Sequence, residues 1–280
     1  MAEGFLPEEK IRAAAKLGDS PIDIAAVALA FAALDHPRAP LEHYIKSIAM
    51  IAEAVDARVN VLGGRPLSEN LAASLGRAIA GDLGYKGDAA TYDDLQNANL
   101  IRVIDRRKGL PVTLGILYIH AARAQGWRAE GLNFPNHFLI RVWIHGRAAV
   151  LDPFNNGRLI QAEALHDLVQ QITRGQSDLS PGATQAVTDR HVVLRLQNNI
   201  KLRLLQNEKF DGALKVLARM LLLAPDHKQL VQEAGVVNAR LGNLRAAVSL
   251  LRDYLGSDAG SPTDRHETAR LLQSLELRLN

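Results

Sequence analysis

The chain has 280 residues, 48% of them hydrophobic and 22% charged, with a formal net charge of +3. That composition provides a substantial core and room for two domains, and so mild a positive charge, without interleaved aromatics or a nucleic-acid motif, gives no reason to expect direct nucleic-acid binding. The absence of cysteine excludes disulfides, a catalytic thiol and cysteine-based zinc sites.

The nine histidines form no His-Glu-x-x-His pattern, so no metal and no cofactor is expected. No run approaches the length of a membrane span. The acidic start MAEGFLPEEK lacks the charged-then-apolar order of a signal peptide. A cytoplasmic protein with no membrane partner is the expectation.

Taken in order, residues 8 to 17 fit a short amphipathic helix. Pro21 suits the first turn of the next, and Ile22 to Leu34 is apolar all round, as in a buried helix. Pro40 opens a helix reaching about Arg58. Gly63 to Pro66 reads as a loop, and Ser68 is placed to cap a helix reaching about Leu83. Asp93 to Asp105 is helical by pattern. The cluster Arg102, Arg106, Arg107 and Lys108 reads as a solvated helix end.

Val112 to Gln125 carries Leu114, Leu117, Tyr118 and Ala121 at helical spacing, and Gly126 is well placed to end that helix. From His137 the pattern alternates. Phe138, Ile140, Val142 and Ile144 fall on one face, and His137, Leu139, Arg141 and Trp143 on the other. A two-residue turn at His145-Gly146 sets Ile144 opposite Arg147, Trp143 opposite Ala148 and Leu139 opposite Asp152. Asp152 then becomes the diagonal neighbour of His137, at about 7–8 Å. A carboxylate beside an imidazole, both near the start of a helix, is two-thirds of a nucleophilic triad. The plainer reading is a hydrogen bond that braces two strands.

Asp152 to Gly157 is turn-prone, and a helix from Gln161 to about Thr173 follows. Gly175 to Ala186 is rich in turn formers and marks the domain boundary. The division is therefore 1–187 and 188–280. Beyond it the chain repeats at 34 residues: Phe210 matches Leu244, Ala213 matches Ala247, Leu217 matches Leu251 and Leu221 matches Leu255. Pro225 ends the first unit. Ala234-Gly235 supplies small residues for a close helix crossing, and Thr263 to Leu277 closes the array.

A helix followed by His on one strand and Asp-Pro on the next resembles the transglutaminase-like (papain-like) core. The stretches RRKGLPVTLGILYIHAARAQGW, NFPNHFLIRV and LDPFNNGRLI are similar to those of the SirB family of bacterial transglutaminase-like proteins, which join such a core to C-terminal tetratricopeptide helices. The resemblance implies an α+β fold, with helices around a small antiparallel sheet and an all-α tetratricopeptide-like tail. His137 and Asp152 match the triad His and Asp. The nucleophile slot falls at or near Pro111, and Thr113 is the nearest hydroxyl. Asn136 stands where the family more often has Gly.

Two functions follow. One is a non-catalytic, regulatory or protein-binding scaffold, with a protein or peptide partner, whose binding residues are Asn136, Arg141, Asn155, Asn156 and Arg158. A tail groove gripping an acidic peptide would draw on Asn198, Asn199, Lys201, Arg203 and Asn238. The other is a hydrolase or acyl-transfer enzyme using Thr113, His137 and Asp152, which requires the Thr113 hydroxyl within about 3 Å of the His137 ring or one water away. A thiol ionises readily near a helix start and an imidazolium, whereas a threonine hydroxyl gains far less.

Overall fold

The chain, described by a computed structural model over residues 6–64, 66–132, 134, 137–161, 164–165 and 185–279, folds as two compact units, Met1–Leu196 and Gln197–Asn280. Asn136 lies outside the described residues, as do most of the predicted helix from Gln161 to Thr173 and most of the turn-rich stretch after it.

The first unit begins with three helices, α1 (Pro7–Ala15), α2 (Ile24–Asp35) and α3 (Leu41–Leu62). As its sequence leads one to expect, α2 is buried from Ile24 through Ala33 except at Ala26, and each large apolar side chain so covered contributes about 1.5–3 kcal/mol. It starts two residues later than the apolar run because Asp23 is its cap, accepting from the Ala26 amide at 3.0 Å, a role short polar side chains fill well. Pro21 therefore stands outside the helix. Ser68 is likewise no cap. It is the first residue of α4 (Ser68–Gly76), and its hydroxyl donates to the Ile144 carbonyl at 3.0 Å. The helix does not continue regularly toward Leu83; Arg77–Asp82 is a π-helix.

The segment read as one helix over Asp93 to Asp105 is broken. A short 3-10 helix, Leu95–Ala98, precedes α5 (Leu100–Arg106). The break is Asn99, which is extended and whose side chain accepts from the Arg102 amide at 3.2 Å. Asparagine competes with the helix ladder for backbone partners and so favours a cap. Two short parallel strands, β1 (Lys86–Gly87) and β2 (Lys108–Gly109), then tie down the approach to the next helix.

That helix, α6 (Pro111–Ala124), carries Pro at its first position. It ends in a Schellman arrangement. Gly126 has φ +75, its amide donates to the Arg123 carbonyl at 2.9 Å, and the Trp127 amide donates to Ala122 at 3.2 Å, so the proline-in, glycine-out punctuation is obeyed. The strands β3 (Arg128–Leu132), β4 (Leu139–Ile144), β5 (Arg147–Asp152), β6 (Arg158–Ile160) and β7 (Ala186–Val187) form an antiparallel sheet in the order β6-β5-β4-β3-β7.

The hairpin turn is His145-Gly146 with φ 49 and 77, the left-handed pair that matches strand twist. Ile144 pairs with Arg147 and Trp143 with Ala148, the predicted register. Ile140, Val142, Ile144 and Leu151 are at most 1% exposed. They form the core face of a sheet on which α6 packs through β3 and β4.

The helix α7 (Asp189–Gln206) runs from the first unit into the second. The second unit continues with α8 (Phe210–Leu223), α9 (Lys228–Arg240), α10 (Leu244–Leu255) and α11 (Pro262–Leu279). The 34-residue repeat is structural: α8 and α10 begin 244 − 210 = 34 residues apart. Ala213 with Ala247, and Leu217 with Leu251, are fully buried in both copies. A Cβ on Gly235 would lie 2.6 Å from Leu251 Cδ2, so α9 crosses α10 at a distance only glycine allows.

Candidate functional site

The start of α6 is built as a brace. Pro111 presents neither a donor nor a nucleophile there. Thr113 is fully buried and its hydroxyl donates to the Asn97 carbonyl at 2.8 Å, an oxygen that also accepts from the Leu110 amide at 3.0 Å. The Asn97 side chain donates to Thr91 O at 2.6 Å and accepts from Arg106 at 3.0 Å. Arg106 reaches on to Asp88 at 3.0 Å, which makes it part of a buried network rather than the solvated helix end expected. Asp88 accepts from both the hydroxyl and the amide of Thr91, at 2.7 and 3.1 Å. The Thr91 hydroxyl first, and the nearby cation of Lys108 after it, hold this carboxyl down at about 2.

His137 and Asp152 occupy separate surroundings. His137 is exposed and precedes β4, and its ring meets Phe134 edge-on at 6.2 Å. Arg195 takes its carbonyl at 2.7 Å and that of Phe134 at 3.2 Å. Asp152 is 5% exposed. It accepts from the Phe154 amide at 3.0 Å, the Asn155 amide at 3.2 Å and the Asn155 side-chain amide at 2.6 Å. Among the described residues no hydrogen bond joins Thr113, His137 and Asp152 to one another. The carboxylate shapes the turn after β5, as short acidic side chains do.

That turn forms one side of a cleft. Asn156 and Arg158, with Ala73, Gly76, Arg77 and Ala80 opposite, line a cavity of about 450 Å³. Two glycines close its back. A Cβ on Gly76 would fall 2.7 Å from the Asn156 carbonyl oxygen, and one on Gly157, at φ +67, would fall 2.6 Å from the Tyr118 hydroxyl. Tyr118 is fully buried, and its hydroxyl has no hydrogen-bond partner among the described residues. Burial first, and then the Asp152 charge, push its phenol up.

Arg141 lies elsewhere, on the outer face of the sheet. It is paired with Glu130 and stands 5.6 Å over the Trp143 ring, which Arg128 also covers at 5.6 Å. The structure thus brings Asn155, Asn156 and Arg158 to one turn and leaves Arg141 apart. Sequence reasoning missed Gly76, Arg77 and Tyr118 at the cleft. Gly157, closing the run Asp-Pro-Phe-Asn-Asn-Gly, was the signal available.

In the second unit a cavity of about 770 Å³ is lined by apolar residues, among them Leu202 and Phe210, and by polar and charged ones, among them Asn198, Lys201, Glu233 and Arg240. Lys201 is buried against Glu233. Arg203 donates to Asn199 O at 3.1 Å and to its side-chain oxygen at 3.0 Å. Asn238 donates to Ala234 O at 2.8 Å and accepts from Asn243 at 3.1 Å. Lys201, Asn199 and Asn238, proposed to grip an acidic peptide, already serve the helices, while Asn198 lines the groove.

Comparison with known proteins agrees with this architecture. The transglutaminase-like superfamily profile matches residues 42–198, and a tetratricopeptide repeat profile matches residues 200–275. The chain is similar to a UPF0162 protein of Xylella fastidiosa (strain Temecula1), 27% identical over 244 residues, or 86% of each chain. It is 29% identical to a UPF0162 protein of Vibrio cholerae over 167 residues, 59% of this chain and 62% of that one. A shorter likeness, 39% over 74 residues, is to F-box only protein 21 of Mus musculus, covering 26% of this chain and 12% of that one. No solved structure matches.

Proposed function

This chain belongs to the transglutaminase-like superfamily, and on that premise we propose that it is a non-catalytic member, of the SirB type, that holds a partner protein. The observation that carries the reading is the start of α6. The chain has no cysteine, Pro111 takes the first helical position, and the hydroxyl two residues on, of Thr113, is donated to a backbone carbonyl. A buried hydroxyl so engaged would have to break that bond before it could attack, and among the described residues no base hydrogen-bonds to it. The tail supports a binding role. Tetratricopeptide repeats generally mediate protein–protein contact, and the groove in α7–α9 sets Leu202, Leu205, Phe210, Val236 and Val237 among polar and charged side chains of both signs, which fits a partner that offers apolar side chains within a polar rim.

Incubation of the full chain with electrophilic ester and amide probes tests the first half. Intact-mass spectrometry is expected to show no adduct that depends on these residues. A stoichiometric adduct that disappears in Thr113→Ala or His137→Ala would establish covalent chemistry and remove the reading.

A further inference from the structure

We propose that the cleft between α4, the π-helix Arg77–Asp82 and the turn after β5 binds a phosphate-bearing small molecule, with Arg77 and Arg158 as its two anchors. Among the described residues, the only charged side chains that line this cavity of about 450 Å³ are those two arginines. Both are exposed, and among the described residues neither has an ion-pair partner. Two described carboxylates near them in sequence are occupied: Asp82 is paired with Arg58, and Asp152 is buried and turned onto the amides of Phe154 and Asn155. Among the described residues, then, two guanidinium groups share one concavity that no carboxylate lines.

Guanidinium forks match the oxygens of a phosphate, and two positive charges balance a dianion better than a single carboxylate would. The remaining wall is small. Ala73 and Ala80 carry only a methyl group, so a ligand can approach the helix closely beside them. The helix itself is irregular at this point, since the π turn begins at Arg77, and such widened turns are uncommon and are found at functional sites more often than elsewhere. On the facing side, the Asn156 and Gly157 carbonyls are pinned against Gly76, which fixes the turn that carries Arg158. The volume lies in the range of small-molecule sites. This inference is independent of whether α6 is catalytic or the tail binds a partner.

Calorimetric titration of the full chain with inorganic phosphate and with ribose 5-phosphate provides the test. Saturable one-to-one binding is expected for at least one of them. Tighter binding of the ester would identify a phosphorylated metabolite as the ligand, and equal binding would identify the free anion. Arg77→Gln and Arg158→Gln should each weaken it about tenfold, the worth of one charge-assisted contact. The double variant should abolish it, while Arg245→Gln in the tail leaves it unchanged. Because both arginines are exposed, these variants should keep the wild-type melting temperature. No saturable heat with either probe would overturn the proposal, as would full binding in the double variant or an affinity for a short RNA without affinity for either probe.

Discussion

Asp88 stands 3% exposed between the Thr91 hydroxyl and the Arg106 guanidinium, and through Arg106 and Asn97 it reaches the residue that holds Thr113. Its carboxyl is depressed from 3.8 to about 2. A carboxyl lowered on folding stabilises the native state above its unfolded value, and that contribution fades as pH falls through the folded value. Asp88→Asn should therefore cost about 1–3 kcal/mol at neutral pH. In urea unfolding the gap between variant and wild type should narrow below 3.8 and close near 2. A gap that stayed constant with pH would show that Asp88 acts by shape alone. None of this was visible in the sequence. Asp88, Asn97 and Arg106 are ordinary polar residues there, and only the parallel pairing of β1 with β2 brings the segments they lie on together.

The helix α6 and the strand β4 meet at a point where neither has room for more. A Cβ on Gly115 would lie 2.2 Å from Phe138 Cε1, and Phe138 is itself 2% exposed. Gly115→Ala gains helix propensity and loses more by overpacking, so a net destabilisation of about 1–3 kcal/mol is expected. Adding Phe138→Leu should recover most of it. Thermal melts of the two single variants and the double variant would measure the coupling, and additive losses would refute the contact. Both elements were legible from their periods. Their ends were less so: β4 begins at Leu139 rather than at His137 because Arg195 takes the His137 carbonyl that a ladder partner would need. A residue 58 positions away leaves no local mark.

On the scale of the whole molecule, a transglutaminase-like core is joined to a helical repeat whose groove includes Leu202, Leu205 and Phe210. Leu202 is 46% exposed, a large apolar surface for a site outside the core. Among the described residues no helix is long and apolar enough to cross a membrane. Leu202→Glu in the full chain should lower affinity for a partner protein bound by the wild type at least about tenfold, as a charge placed in an apolar contact would, without changing the circular dichroism spectrum. Equal affinity in the variant would place the contact elsewhere.

By itself the sequence determined the class of the fold, the hairpin register, the repeat of the tail and the lack of a thiol. These depend on period, turn chemistry and composition, which are local properties. Only the tertiary structure decided where the polar side chains went. It gave the Thr113 hydroxyl to Asn97, turned Asp152 into its own loop and set Arg77 across a cleft from Arg158. A polar group's partner is chosen by whatever the fold delivers within about 3 Å of it, and segments far apart in the chain supply that choice.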